Sequence, residues 1–217
     1  MKDRIRFLRE ETISGRNKAA RIVMPSFDVS QKEGGIPIRK ALGFCTICDH
    51  MPVYIGEQEL IVGTRTFFDS PDYSGGEINW SYPPLLAYPK FIREEDIQRF
   101  GGDYHMHNGQ HYTPDLGILL KKGIGGILRE AGQRKDDPAL RPDQIEFLVY
   151  SGMQRLILRY AEYARMLSDC SEDPEDRERL MGIGQVCDHI SSGIPRNFRE
   201  AVQLLWFGHL GTILESF

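Results

Sequence analysis

A chain of 217 residues, 41% hydrophobic and 27% charged, can bury a sizeable core and is too balanced in composition for global disorder. Its formal net charge of -4, with both signs mixed along the chain, excludes the strongly basic balance of a nucleic-acid binder or of a protein held on an anionic membrane. No apolar run is long enough to span a bilayer, and Met1-Lys2-Asp3-Arg4-Ile5-Arg6 has no apolar stretch behind it, so it does not read as a signal peptide. The expectation is a cytoplasmic protein whose Cys45, Cys48, Cys170 and Cys187 are reduced.

Residues 4–24 alternate charges with Ile5, Leu8, Ile13, Ala19, Ala20 and Val23, which predicts one or two helices before Pro25. Residues 36–50 predict a further helix with Ile38, Ala41, Leu42, Cys45 and Cys48 on one side, stopped by Pro52. Val53-Tyr54-Ile55 and Leu60-Ile61-Val62 then flank Gly56-Glu57-Gln58, a short hairpin or two extended pieces around a turn. Residues 64–113 are rich in Gly, Pro, Asp, Tyr and His, with only Glu94–Phe100 suggesting a short helix; a loop of that length is usually functional or covers something.

The second half is more regular. Thr113-Pro114-Asp115 predicts a helix start with Thr113 as N-cap, proline at the first position and the acid in the first turn. Leu116, Leu119, Leu120 and Gly123 follow at helical spacing. Ile145, Leu148, Val149, Gly152, Met153, Leu156, Ile157, Tyr160, Ala161 and Ala164 form a wide stripe at three-four spacing, the strongest helical signal in the chain. Asp173-Pro174 opens the next helix, with Leu180, Ile183, Cys187 and Ile190 inward. A last helix begins near Pro195, and its run Ala201-Val202-Gln203-Leu204-Leu205-Trp206-Phe207 is apolar nearly all round, which predicts burial on every side. The preceding helices can cover only part of such a surface, and the chain stops at Leu214-Glu215-Ser216-Phe217. The expectation is therefore that further packing comes from sequence outside this chain.

Several patterns have chemical spacing. Cys45-Thr46-Ile47-Cys48 has redox or metal spacing but lacks a second ligand pair or a preceding strand, so two small apolar side chains on a helix's inner face is the favoured reading. His105-Met106-His107 with His111 is the one histidine cluster; Asp103 and Asp115 are near, yet the defined spacing of a zinc site is missing, and no metal ligand is assigned. His50, His189 and His209 are isolated and read as structural or surface residues. Gly123-Ile124-Gly125-Gly126 does not follow a strand and open a helix, so it reads as close helix packing or a C-cap rather than a phosphate loop.

Three stretches together resemble the N-terminal region of glycyl radical enzymes of the pyruvate formate-lyase superfamily. The first runs from Arg39 to Gly63, with Met51-Pro52-Val53-Tyr54-Ile55 and Glu59-Leu60-Ile61-Val62-Gly63, similar to a helix followed by an "xELIVG" strand. The second, Gly109-Gln110-His111-Tyr112-Thr113-Pro114-Asp115 with Leu119-Leu120-Lys121-Lys122-Gly123-Ile124, resembles "GH…PDY…LL..G". The third, Pro195-Arg196-Asn197-Phe198-Arg199-Glu200-Ala201-Val202-Gln203-Leu204-Leu205-Trp206-Phe207-Gly208-His209-Leu210, is similar to "PRTFxEALQLLWFxHL" and is the longest and most specific.

The resemblance implies that residues 1–217, without a separate linker, are the N-terminal portion of a pyruvate formate-lyase-like domain. The segment would be mainly α with a short extended hairpin, part of a ten-stranded α/β barrel in the complete enzyme. It implies a glycyl radical, installed by a radical-SAM activating enzyme, that passes to a catalytic cysteine; a small-molecule substrate; and a homodimer. The "GCxEP"-like cysteine motif and the "RVxGY"-like glycine motif are both absent from this sequence, so no catalytic residue is assigned and the chain alone is expected to be inactive. The reaction would be radical elimination, C–C or C–heteroatom cleavage, or formate acetyltransfer, with the glycerol and hydroxyproline dehydratases and the choline lyases the most similar branches. Only residues 64–108 separate the first two motifs, fewer than in longer members, which suggests a compact subgroup.

In dehydratases of this superfamily the histidine of the "GH" motif contacts a substrate hydroxyl, and His111 matches it. An aromatic residue lies about eight positions earlier in those members and in the choline lyases; Asp103 has that offset here and Tyr104 is one residue away, so Tyr104 is the second substrate-binding candidate. A helix beginning at Thr113-Pro114 would favour a neutral His111 ring, with one donor and one acceptor for a hydroxyl partner. The alternative is a stand-alone helical remnant that binds a small molecule or a protein partner and catalyses nothing.

Overall fold

The computed structural model describes residues 3–7, 28–29, 31–51, 53–63, 93, 95, 98–99, 115–134 and 141–215. Five helices carry the architecture: α1 Ile36–His50, α2 Leu116–Gly132, α3 Arg141–Cys170, α4 Pro174–Ile190 and α5 Phe198–Glu215. Residues 3–7, 95 and 98–99 are also helical, and the rest of the predicted helices over 4–24 and 94–100 lies outside the described residues.

The 30-residue α3 is the hub, packed along α1, α2 and α4. Its predicted stripe is the reason. Gly152, Met153, Leu156, Ile157, Tyr160, Ala161 and Ala164 are buried. Each large apolar side chain taken out of water there contributes about 1.5–3 kcal/mol. Gly152 lets α1 come close: a Cβ there would lie 3.2 Å from the Cys45 Cα. Two arginines of α3 complete that contact. Arg155 grips Asp49 at 2.6 and 3.1 Å, and Arg159 donates to the Cys48 and Met51 carbonyls, at 2.7 and 2.6 Å, where α1 ends. The orphan carbonyls of a helix C-terminus are thereby satisfied by side chains of a neighbour.

The helix starts follow from capping chemistry. Asp173 caps α4, accepting from the Glu175 amide at 3.0 Å with Pro174 at the first position, as predicted. Asn197 caps α5, accepting from the Glu200 amide at 3.0 Å. The start of α2 differs from the expectation. Asp115, not Thr113, is the N-cap, and its carboxylate accepts from the Gly117 and Ile118 amides. A short carboxylate that reaches two free amides caps better than a hydroxyl two residues earlier.

Of the two readings of residues 53–63 the structure takes the second: residues 53–56 and 59–63 flank a turn at Glu57-Gln58, and no ladder joins them among the described residues. Their backbone groups are taken by side chains of α4 and α5 instead. The α5 run is covered in part, as expected of the preceding helices. Gln203, Leu204, Phe207, Leu210 and Leu214 are buried, whereas Val202 and Leu205 are half-buried and Trp206 and His209 are exposed.

The glycines of α2 act as predicted for close packing. Gly123, at φ +61°, breaks the helical path, and a Cβ on it would lie 2.4 Å from the Gly193 carbonyl oxygen. A Cβ on Gly125 would lie 2.1 Å from that of Ser192. The turn between α4 and α5 therefore rests directly on the α2 backbone.

Candidate functional site

The described parts of the three motif stretches, in contact across as many as 143 positions, come together on α5. Glu59-Leu60-Ile61-Val62-Gly63 is held to it by a buried amide. The Gln203 side chain accepts from the Val62 N–H at 2.8 Å and donates to the Val62 carbonyl at 2.7 Å. Gln203 thus satisfies both backbone groups of one residue, as a neighbouring strand would. One turn on, the Trp206 indole N–H donates to the Gly63 carbonyl. Gly63 adopts φ +110°, and a Cβ there would sit 3.3 Å from both the Phe207 and Trp206 rings, so the position requires glycine twice over. Arg179 of α4 completes the clamp by donating to the Glu59 carbonyl at 2.7 Å while ion-paired with Asp176 at 2.6 Å.

The second stretch reaches α5 through the first turn of α2. Leu116 and Leu119 close over Gly208, where a Cβ would lie 3.2 and 2.8 Å from their methyl carbons. The segment carrying His111 therefore leads into a helix seated against the middle of α5. His111 and Tyr104 themselves lie outside the described residues, as do His105, His107 and Asp103. The Asp115 carboxylate answers the positive end of α2.

The entry to α5 is ionic. Glu200 is 2% exposed and sits at the third helical position. It accepts from the Arg196 amide at 2.6 Å and from the Arg196 guanidinium at 2.7 Å. The His189 ring lies 3.7 Å away and also meets the Ile194 carbonyl at 2.9 Å. The hydrogen bonds from Arg196 hold the Glu200 carboxyl below the usual carboxylate range. Asn197 thus caps the Glu200 amide, while the Glu200 carboxylate reaches back one residue further, to the Arg196 amide.

The family model described as "Pyruvate formate lyase-like" matches residues 1–80 and 77–217. The chain belongs to this pyruvate formate lyase-like family. The 4-hydroxyphenylacetate decarboxylase glycyl radical subunit of Clostridioides difficile is 29% identical over 110 residues, 45% of this chain and 12% of that protein. The trans-4-hydroxy-L-proline dehydratase of the same organism is 30% identical over 99 residues, 44% of this chain and 12% of that one. The Roseburia inulinivorans structure of 1,2-propanediol dehydration superposes with a TM-score of 0.66 at 18% identity, over 98% of this chain and 32% of its own. The chain therefore spans about a third of the solved relative's length and has the fold of that portion of it.

Within the family frame the remaining reactive groups have structural places. Cys45 and Cys48 are buried on the inner face of α1, where burial pushes both thiols up, and the Cys45 thiol donates to the Leu148 carbonyl at 3.0 Å. Cys187 is buried in α4 and pushed up to about 12 by its burial. Thiols held in the protonated form are poor nucleophiles and poor metal ligands. Among the described residues no group of three or more His, Cys, Asp or Glu side chains could hold a metal ion, and no helix is long and apolar enough to cross a membrane. Gln203 and Trp206 had no assigned role on sequence grounds. The available signal was a lone amide inside an apolar run, which marks a buried polar group with a specific partner.

Proposed function

We propose that this chain supplies the N-terminal portion of a glycyl radical lyase or dehydratase acting on a small metabolite that bears a hydroxyl group. The supporting observation is the family match across the chain, joined to the packing of the first and third motif segments on each other through Gln203 and Trp206. Relatives named for decarboxylation of 4-hydroxyphenylacetate and dehydration of trans-4-hydroxy-L-proline share the superfamily but not the reaction. The common element of those substrates is the hydroxyl.

In this reading His111 touches that hydroxyl or its neighbour and helps it leave as water, and Tyr104 lines the same pocket. Neither the cysteine motif nor the glycine motif of the superfamily occurs in the 217 residues, so hydrogen abstraction is assigned to no residue of this chain. The complete enzyme would be a cytoplasmic homodimer activated by a radical-SAM enzyme.

The test begins with the reading frame beyond the Phe217 codon, or a neighbouring gene, that encodes the missing motifs. The longer polypeptide, treated anaerobically with a radical-SAM activating enzyme, should give a glycyl radical by electron paramagnetic resonance, and the 217-residue chain alone should not. His111→Gln should cut turnover at equal radical yield. A radical on the short chain, or the lack of any encoded complement, refutes the proposal.

A further inference from the structure

In Arg155, Arg179 and Arg196 the Nε and Nη2 edge of the guanidinium holds a carboxylate, that of Asp49, Asp176 and Glu200 in turn, at 2.6–3.3 Å. This fork is how an arginine binds an anion most strongly. The same edge of Arg199 is buried, and among the described residues neither its Nε nor its Nη2 has a hydrogen-bond partner. Arg4, in the helical residues 3–7, has a buried Nε in the same condition.

The surroundings of Arg199 disfavour a lone cation. It lies in the first turn of α5, at the positive end of the helix dipole. Burial, with the charge of Arg4 pushing the same way, lowers the guanidinium below its ordinary value. Its Nη1 lies over Gly182 of α4, where a Cβ would be 3.1 Å away, so the glycine makes room for it. The carboxylates that neighbour it in sequence or across α4 are committed elsewhere, Glu200 to Arg196 and Asp188 to Arg165 at 3.5 Å. Cys187, within electrostatic reach, is pushed up to about 12 by its burial and stays neutral. A buried fork that faces a like charge and the positive end of a dipole calls for an anion.

We propose that Arg199 and Arg4 form a binding site for a small oxyanion of the phosphate class. The class follows from forks and charge. Two guanidiniums bring two positive charges and two forks, and a carboxylate fills one fork with its two oxygens. A phosphate group has further oxygens for the second and carries about −1.5 to −2 charges at pH 7. The site is built by three elements: residues 3–7 through Arg4, α4 through the space at Gly182, and α5 through Arg199. An anion held there ties the beginning of the chain to the α4–α5 pair.

The experiment titrates the full chain with inorganic phosphate at pH 8 by calorimetry, with sodium chloride holding the ionic strength fixed, and follows the thermal midpoint in parallel. One phosphate should bind per chain and raise the midpoint, and acetate should do neither. Arg199→Gln and Arg4→Gln should each weaken phosphate binding by about tenfold or more, because each removes charge-assisted hydrogen bonds. Arg165→Gln, whose arginine is paired with Asp188, is the reference and should bind as the parent does. A second readout separates a ligand site from a structural one. In chloride alone Arg199→Gln should unfold no earlier than the parent, since the arginine loses no partner within the protein. Methyl phosphate distinguishes the source: tighter binding than inorganic phosphate identifies a phosphate ester and weaker binding identifies the free ion, and either supports the site. The proposal is overturned by no phosphate binding, by binding that survives both substitutions, by acetate binding as tightly, or by an Arg199→Gln chain that is destabilised or unfolded in chloride.

Discussion

Replacing Gln203 with leucine tests whether the buried amide clamp holds the extended segment. The change keeps the side-chain volume close and removes both hydrogen bonds to Val62, which is fully buried. Each backbone group left unpaired in the interior costs about 1–3 kcal/mol, so two cost about 2–6 kcal/mol. The added apolar burial of leucine returns roughly 1 kcal/mol, leaving a net loss of about 1–5 kcal/mol. Against a domain stability of about 5–15 kcal/mol that is a substantial fraction. With a urea dependence of about 2 kcal/mol per molar, the midpoint should fall by roughly 0.5–2.5 M. Hydrogen exchange should show the Val62 amide losing protection more than the amides of α3. Gln203→Glu extends the test. The carboxylate accepts from the Val62 N–H but repels the Val62 carbonyl, and burial next to that carbonyl raises its pKa above the unfolded value. The loss is therefore full at neutral pH and shrinks as pH falls through the raised pKa, because the neutral acid can make both bonds. A Gln203→Leu midpoint within about 0.3 M of the parent, with unchanged Val62 exchange, would refute the clamp.

Three further outcomes are expected. Gly125→Ala should cost more than about 3 kcal/mol, since its Cβ would lie 2.1 Å from the Ser192 oxygen, whereas Gly184→Ala in α4 meets only ordinary contacts from 3.4 Å and should be neutral or stabilise by up to about 1 kcal/mol; urea midpoints of the two compare them. A chromogenic disulfide titration of the folded chain at pH 8 should find the exposed Cys170 fast and the buried Cys45, Cys48 and Cys187 slow; a second fast thiol would contradict the packing of α1 or α4. The Glu200 carboxyl is held low, so its contribution to stability is present above the unfolded value of about 4.3 and lost as pH falls through the folded value. The stability gap between parent and Glu200→Gln should therefore be widest near neutral pH and close in acid, and a pH-independent gap would assign Glu200 a packing role.

Periodicity exposed what repeats along a helix and missed what a single side chain does across space. The α3 stripe from Gly152 to Ala164 was legible because the core lies on one side of it, and a three-four pattern records one side. The α4 start was legible because Asp173-Pro174 places both capping elements next to each other. The α2 start was displaced because Thr113, Pro114 and Asp115 each carry helix-start chemistry, and only the geometry shows which one reaches the free amides. At 53–63 two extended pieces about a turn suggested strand pairing, yet Val62 finds its partner in Gln203, 141 residues away, where no local pattern could show it.

The α5 run was legible only in part for a related reason. An apolar sequence with no polar side predicts burial without saying what supplies it, and the described residues bury one side of it. The amide of Gln203 carries the further information. An unpaired polar group inside an apolar helix would be costly, so its presence means that a specific acceptor and donor lie opposite. The same reasoning, applied to Trp206, places Gly63 beside it: an indole N–H must find a carbonyl, and a large ring packed on backbone requires a residue with no side chain. The third motif therefore encodes the seat for the first, and the glycine that ends "ELIVG" is required by the tryptophan of "LLWF". Gly63→Ala should for that reason disturb Trp206 fluorescence as well as stability, since the added methyl meets the ring at 3.3 Å in a backbone conformation, φ +110°, that alanine resists. An unshifted emission maximum with an unchanged urea midpoint would break the link between the two motifs.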